Sequence, residues 1–545
     1  MQNLEEIIHL QENPSNNDSS NNAVQFLPDT QKEKKDTRID EAIVELAINE
    51  TGFGKFSIKV TVICFLIYLN ISLCTVSTGF ILPAAACDLK MNTVDKGLLS
   101  TSFFIGSCFS SVISGFLANL KGRKWTLTIF LFLQGISDLL QAIVPNYSTI
   151  MGLKFFSGFA ATGQLITIFT YMSECLPLKQ RKSLLSLMEF FWISGHGVAS
   201  VLGFGIIPLE FEIKNENFSF RSWNLYILIC SLPGIFLGFW IIAFPETPKY
   251  LAEMGYREEL LKVLVKMYEE NLGKSGKEYI EILMSSENSL LIKVANQSHE
   301  KLADLKKNSI NEKILFELKQ MGTVLKKPHI KNTFLACVTA FCVPAAYFAL
   351  YLWLPEIFQR FAEFEAKNKN EKPNFCKVSR EIYSSLSTTD HLEDPFGCDR
   401  TIDTDVFINN LLLCASCVPA IFPVLCLVHR FGFKILLASM CLICSAVVFG
   451  IYFVNSSLQN LILLCIYLPL ISVCITITFA LFVSIFPTNL RSSGVTLTSF
   501  SSRIGAAFGN IIFSYLIDEY CFQFIVLVTL LLVVSAVTTM LIHER

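Results

Sequence analysis

Glu189, Trp192 and His196 stand at i, i+3 and i+7 in an otherwise apolar stretch, so a helix through them carries a carboxylate, an indole and an imidazole on one face. Such a face could hold a cationic or aromatic ligand by charge and cation–π attraction, and His196 could pass a proton. Glu189 could equally pair with a neighbouring Arg or Lys and simply fasten two helices. Polar stripes recur at Asn70, Cys74 and Ser77; at Gln164, Thr167, Tyr171 and Glu174; and at Ser472, Thr476 and Phe479. Another joins Pro344, Tyr347 and Tyr351, with Trp353 and Glu356 just beyond. Any single Thr or Tyr among these could instead serve helix packing. Asp138 and Arg503 are the remaining deep charges. Arg503 lies 12 residues past Arg491 (503 − 491), about 18 Å along a helix, and is expected to meet an acidic partner or to form an anionic site. No nucleophile–base pair or metal-ligand set appears, so neither an enzyme nor a cofactor is expected.

The elements that must position these groups follow from composition. The chain has 545 residues, 52% of them apolar and only 17% charged, with 47 Phe, and its mean hydropathy is +0.50. Soluble domains carry about 25% charged residues, so the solvent implied is a lipid bilayer. A net charge of −2 says nothing about nucleic acid, and no basic tract or aromatic–basic weave suggests it, so no nucleic-acid partner is expected. A bilayer span needs roughly 20 apolar residues. Candidate spans fall near 58–83, 97–118, 125–144, 149–173, 185–208, 222–244, 331–356, 405–428, 434–454, 460–484, 495–517 and 524–542. The reading is therefore an all-α membrane protein with twelve transmembrane helices. Residues 1–57 form a polar tail ending in a short amphipathic helix, 58–251 a first bundle, 252–330 a central polar segment, and 331–545 a second bundle with a polar loop at 357–404.

Orientation follows from the basic residues of short loops. Lys121, Arg123, Lys124, Lys179, Arg181, Lys182, Arg430, Lys434 and Arg491 share the side of the N-terminus, whereas the opposite loops are acidic. Both termini and the central segment are thus expected in the cytosol. The sequon at Asn217 lies in an outside loop and is the expected glycosylation site. The 18 cysteines mostly scatter through apolar runs, where they act as small hydrophobes. Cys376 and Cys398 share one polar loop and could form a disulfide there.

One interval recurs along the chain. Gly122 and Gly432 are 310 apart (432 − 122), as are Lys124 and Lys434, Pro177 and Pro487, Arg181 and Arg491, Ser183 and Ser493, and Gly195 and Gly505. Six helices were duplicated in parallel, the architecture of rocking secondary transporters with a site between the halves. No channel filter or phosphate-binding loop competes with that reading.

The turns resemble those of the major facilitator superfamily, since GFLANLKGRK at 115–124 is similar to its GxLaDrxGRK signature. PETPKYL at 245–251, GFGKF at 52–56, TGFILPAAACDLKMNTVDKGLL at 78–99, YFALYLWLPE at 347–356 and FPTNLRSSG at 486–494 resemble the synaptic vesicle glycoprotein 2 and organic ion transporter branch. The resemblance implies two pseudo-symmetric six-helix halves, a cavity lined by the first, fourth, seventh and tenth helices, and latches on the cytosolic side. The latch residues it implies are Asn119, Gly122, Arg123, Lys124, Glu174, Arg181, Glu246, Arg430 and Arg491. Asn119 stands where the signature has an Asp that caps the eleventh helix. The first helix reads ISLCTVS where the vesicle group carries two acidic residues, and the loop 357–404 is shorter than that group's luminal domain.

The expectation is a monomeric carrier moving a small organic solute, an organic ion in preference to a sugar, with protons as the coupling ion through Glu189 or His196. The rival is a non-transporting vesicle membrane protein that binds partners through residues 1–57 or 357–404.

Overall fold

Gly, Pro and Asn punctuate the apolar runs, and between them the chain has little choice but helix, because lipid offers the backbone no hydrogen bonds. A computed structural model describes residues 43–209, 211–215, 218–285, 322–367, 374–388, 402–486 and 490–542. After a short helix over 43–50, the first half comprises α1 (Lys55–Ala84), α2 (Thr93–Lys121), α3 (Arg123–Gln141), α4 (Tyr147–Cys175), α5 (Leu178–Ile206), the hairpin β1 (Glu212–Asn215) and β2 (Phe218–Arg221), and α6 (Ser222–Ile242). The helices α7 (Pro248–Glu253), α8 (Arg257–Leu272) and α9 (Gly276–Ser285) follow. The second half comprises α10 (Ile330–Tyr351), α11 (Leu354–Lys367), α12 (Phe375–Thr388), α13 (Thr404–Ile451), α14 (Ser457–Ile485), α15 (Arg491–Leu516) and α16 (Cys521–Leu541). Helix α13 contains two spans that meet at Gly432, so the membrane helices number twelve in two sets of six. The strands pair antiparallel, with Glu212 opposite Arg221. They form a small hairpin that the all-α reading lacked.

Eight of the helical segments are long and apolar enough to cross a membrane by length and composition alone. Helices α3, α4 and α15 fall short because they carry buried polar groups, among them Gln134, Asp138, Lys154, Gln164 and Asn510. The outer shell is apolar: Phe236 and Phe334 are each 66% exposed, a state suited to lipid.

The duplication is visible in the backbone. Gly122 (φ 97°, ψ 159°) and Gly432 (φ 75°, ψ 164°) adopt nearly the same conformation, in the region that L side chains avoid. Gly195 lets α5 approach α1, where an added Cβ would sit 2.5 Å from the Leu69 carbonyl oxygen. Its repeat Gly505 does the same for α15 against α10, with the Phe341 oxygen at 2.1 Å. Between the halves, α2 packs on α15 and α5 on α13, the two contacts expected of a two-fold arrangement.

The seventh span is not one helix. It breaks at Leu352 and Trp353, and α11 continues as a separate buried element. The disulfide also differs from the expectation: Cys376 bonds Cys521, not Cys398, with Cα atoms 5.5 Å apart. Residue spacing could not reveal it, because the partner is 145 residues away and reaches Cys376 only when α16 folds against α12. Cys398 and Asn217 lie outside the described residues.

Candidate functional site

Midway along the helices, aromatic side chains from both halves converge. Tyr68 of α1 lies 5.5 Å from Trp192 of α5 and 5.5 Å from Phe169 of α4, between ring centroids. Across the interface, Tyr347 and Tyr351 of α10 stack at 4.5 Å, and His196 of α5 meets Tyr351 edge-on at 5.2 Å. Glu189 lies within electrostatic range of Tyr68, Tyr347 and Cys417, so it faces the second half. Among the described residues it forms no ion pair, which leaves its carboxylate available to a solute. Arg503 of α15 lies within electrostatic range of Tyr68 and Cys108, both in the first half.

Five of the residues expected to bind solute therefore share one locus: Glu189, Trp192, His196, Tyr347 and Tyr351. The others do not. Asn70 is buried against Gly234 of α6 and accepts a contact from Cys74. Gln164 donates to Gln134 at 2.7 Å and to the Phe130 carbonyl at 2.9 Å, inside the first bundle. Tyr171 donates its hydroxyl to the Pro245 carbonyl at 2.9 Å. Thr476 is exposed and bonds its own helix at Ser472. Helical spacing identifies residues that share a face but not the neighbour that face meets. The additions are Tyr68, a lone hydroxyl in an apolar run, and Asn410 of α13, which faces His196.

Trp353 and Glu356 belong to a seal near α11. The Trp353 indole donates to Asn510 at 2.9 Å, and the Asn510 amide donates to Ser100 (2.7 Å), Thr101 (2.9 Å) and the Gly97 carbonyl (3.2 Å) on α2. Beside it Lys96 of α2 sits 2.8 Å from Glu356, Arg360 lies 3.2 Å from Glu356 and 2.7 Å from Asp518, and Arg360 donates to Thr93 at 3.0 Å. These charges are nearly excluded from solvent. Removing one member of such a pair costs about 3–5 kcal/mol, because the survivor is left buried and unpaired. The seal joins the halves, so this lid face is closed.

The opposite, basic face is organised differently. Helix α3 starts with N–H groups that have no partner within the helix. The Glu246 carboxylate supplies one, accepting from Arg123 N–H at 3.0 Å and Lys124 N–H at 3.0 Å. A negative charge there also complements the helix dipole. The carboxylate comes so close that a Cβ on Gly122 would lie 2.2 Å from it. Arg123 is buried, 3.1 Å from Glu174 and 3.4 Å from Glu253, with the Tyr250 ring beneath its guanidinium at 5.2 Å. Thr247 donates to Glu174 at 2.6 Å. Arg181 pairs with Glu45 of the 43–50 helix at 2.5 Å, and Lys249 joins at 3.5 Å. Burial alone would raise the Glu45 pKa, but these two cations hold it below the usual carboxylate value.

The expected latch residues Gly122, Arg123, Lys124, Glu174 and Glu246 thus meet, yet all within the first half. Asn119 is exposed, and the N-cap position of α15, Leu490, receives no side-chain cap, so the expected cap on the eleventh helix is not formed. With the lid face sealed, the capping interactions of the basic face among the described residues stay inside one half. Arg430 is exposed, with its guanidinium 5.7 Å from the Phe431 ring, and Arg491 is the first residue of α15.

A family model described as sugar (and other) transporter matches residues 21–317, just over half of the chain. The chain belongs to that family. This family member is 26% identical to rat synaptic vesicle glycoprotein 2B over 339 residues, covering 60% of this chain and 48% of the relative. To human synaptic vesicle glycoprotein 2C it is 28% identical over 235 residues, 43% of this chain and 32% of the relative. It spans about half the length, or less, of the curated relatives it matches. Among solved structures, the inward-open xylose transporter XylE from E. coli aligns with a TM-score of 0.60 at 14% identity, covering 90% of this chain and 97% of that one. The nucleoside transporter NupG aligns at 0.53 and 12% identity, covering 90% and 100%. These likenesses establish the major facilitator fold and a multi-pass membrane protein.

Proposed function

We propose that this chain carries a small organic solute across a bilayer by alternating access, its two six-helix halves rocking about the Glu189–Tyr347 locus. The basic turns at Gly122 and Gly432 face the cytosol in this reading, as the distribution of Lys and Arg supports. One observation carries it: a carboxylate with no ion-pair partner among the described residues stands at mid-helix between two halves that a seal closes on the lid face. A charge so placed is costly unless it serves a solute or an aqueous crevice. An organic ion is favoured over a sugar, because aromatic rings and ionisable groups surround the locus where a sugar site would present amides. Proton coupling, if the carrier is active, would run through Glu189 or His196.

The test is uptake by the purified protein in liposomes against a panel of organic cations, anions and sugars. Flux of one class, lost in Glu189→Gln, supports the carrier. Silence across the panel favours the second reading, a partner-binding vesicle protein. That reading is supported by the carboxylate-free first helix (ISLCTVS) and by the likeness to synaptic vesicle glycoproteins 2B and 2C.

A further inference from the structure

Two opposite charges stand on repeat-related helices, 4 residues apart in the repeat register (503 − 310 = 193; 193 − 189 = 4). Gly195 of α5 and Gly505 of α15 occupy equivalent places in the duplication, so these helices correspond. Glu189 lies 6 residues before Gly195 (195 − 189) and Arg503 lies 2 before Gly505 (505 − 503). At 1.5 Å per residue those are about 9 and 3 Å from the paired glycines, so the two charges stand about one helical turn apart in depth. Each charge addresses the other half: Glu189 faces Tyr347 and Cys417, and Arg503 faces Tyr68 and Cys108. Tyr68 is within electrostatic range of both. Neither has an ion-pair partner among the described residues, and neither has side-chain atoms that are both buried and unsatisfied. Both side chains are partly exposed rather than locked in the packing.

We infer that the central site takes a zwitterionic organic solute, its ammonium end at Glu189 among Trp192, Tyr68 and Tyr347, and its anionic end at Arg503. This rests on the carrier reading and narrows it. A cation alone would leave Arg503 uncompensated in a low-dielectric crevice, and an anion alone would leave Glu189 so. A molecule with both charges satisfies the two at once and draws the halves together around Tyr68. The aromatic rings around Glu189 add cation–π attraction for the ammonium end. They give Arg503 no comparable help, which fixes the polarity of the bound solute.

Purified full-length protein would be tested by ligand-induced thermal shift in detergent and by uptake in liposomes. The probes are ω-amino acids from glycine to 6-aminohexanoate, beside n-alkylamines and alkyl carboxylates of matched length. One ω-amino acid length is expected to bind at least tenfold more tightly than either matched single-charge compound. Arg503→Gln should erase its advantage over the amine, and Glu189→Gln its advantage over the carboxylate. Should either variant fail to fold, the length series on the unmodified protein decides alone. Amines that bind as tightly as every ω-amino acid, and are insensitive to Arg503→Gln, overturn the zwitterion while leaving the carrier intact. Absence of binding and flux for all probes and for the wider solute panel overturns both.

Discussion

Lys96 of α2 and Glu356 of α11 belong to different halves, yet the lysine Nζ lies 2.8 Å from both carboxylate oxygens. Any movement that opens the lid face must separate them, and must also free Arg360 from Thr93 and Asn510 from Ser100. Opening therefore has an electrostatic cost confined to a few side chains.

Glu356→Gln should lower that cost. It leaves Lys96 and Arg360 short of a carboxylate, a change worth about 3–5 kcal/mol for a buried pair. Phe348 of α10 is buried against Phe104 of α2, at 4.6 Å between ring centroids. Labelling of a cysteine placed at Phe348, applied from the lid side with an impermeant maleimide and read by mass spectrometry, is expected to rise at least tenfold. Unchanged labelling would show that the seal does not govern opening.

The cap on α3 makes a second prediction. Glu246→Gln keeps an acceptor but loses the charge, and should lower stability by about 1 kcal/mol. Gly122→Ala must adopt a φ of 97° with its Cβ 2.2 Å from the Glu246 carboxylate, so it should be the more damaging change. Thermal unfolding in detergent ranks the two.

Acid should loosen the 43–50 helix. The Glu45 pKa is held below its ordinary 4.5, so its contribution is complete at neutral pH, above the unfolded value. That contribution fades as pH falls through the lower folded value. Amide protection over residues 43–50, taken relative to the intrinsic exchange rate at each pH, is expected to fall in acid relative to pH 7, and Glu45→Gln should show low protection at both.

The Cys376–Cys521 bridge joins α12 to the start of α16. Non-reducing peptide mapping should recover that pair. Cys376→Ser is expected to lower thermal stability, with about 2–5 kcal/mol typical for a native bridge.

The two-fold bundle was legible because Gly122 and Gly432 hold a backbone conformation that L side chains avoid, and Gly195 and Gly505 hold close helix approaches that a Cβ would block, so both pairs survive duplication as a readable interval. Glu189, Trp192 and His196 were legible because a helix leaves them no other relationship. Trp353 and Glu356, expected among the solute ligands, bond Asn510 and Lys96 in this structure, partners 157 and 260 residues away. Glu246 matched a family element, yet its task of capping α3 depends on a contact 123 residues distant. Periodicity holds no information about such pairings.

The start of α1 depends on a residue translated much later. Asn271 of α8 accepts from the Ser57 N–H at 3.1 Å, across 214 positions of sequence, and also donates to the Gly52 carbonyl. At 5–20 residues per second, translation takes roughly 10–40 s to cover that interval. The leading turn of the first helix waits at the membrane surface throughout, so biogenesis of the first half ends on the ribosome's delivery of α8 rather than on insertion of α6. A truncation placed between them would yield six inserted helices with an unfinished beginning.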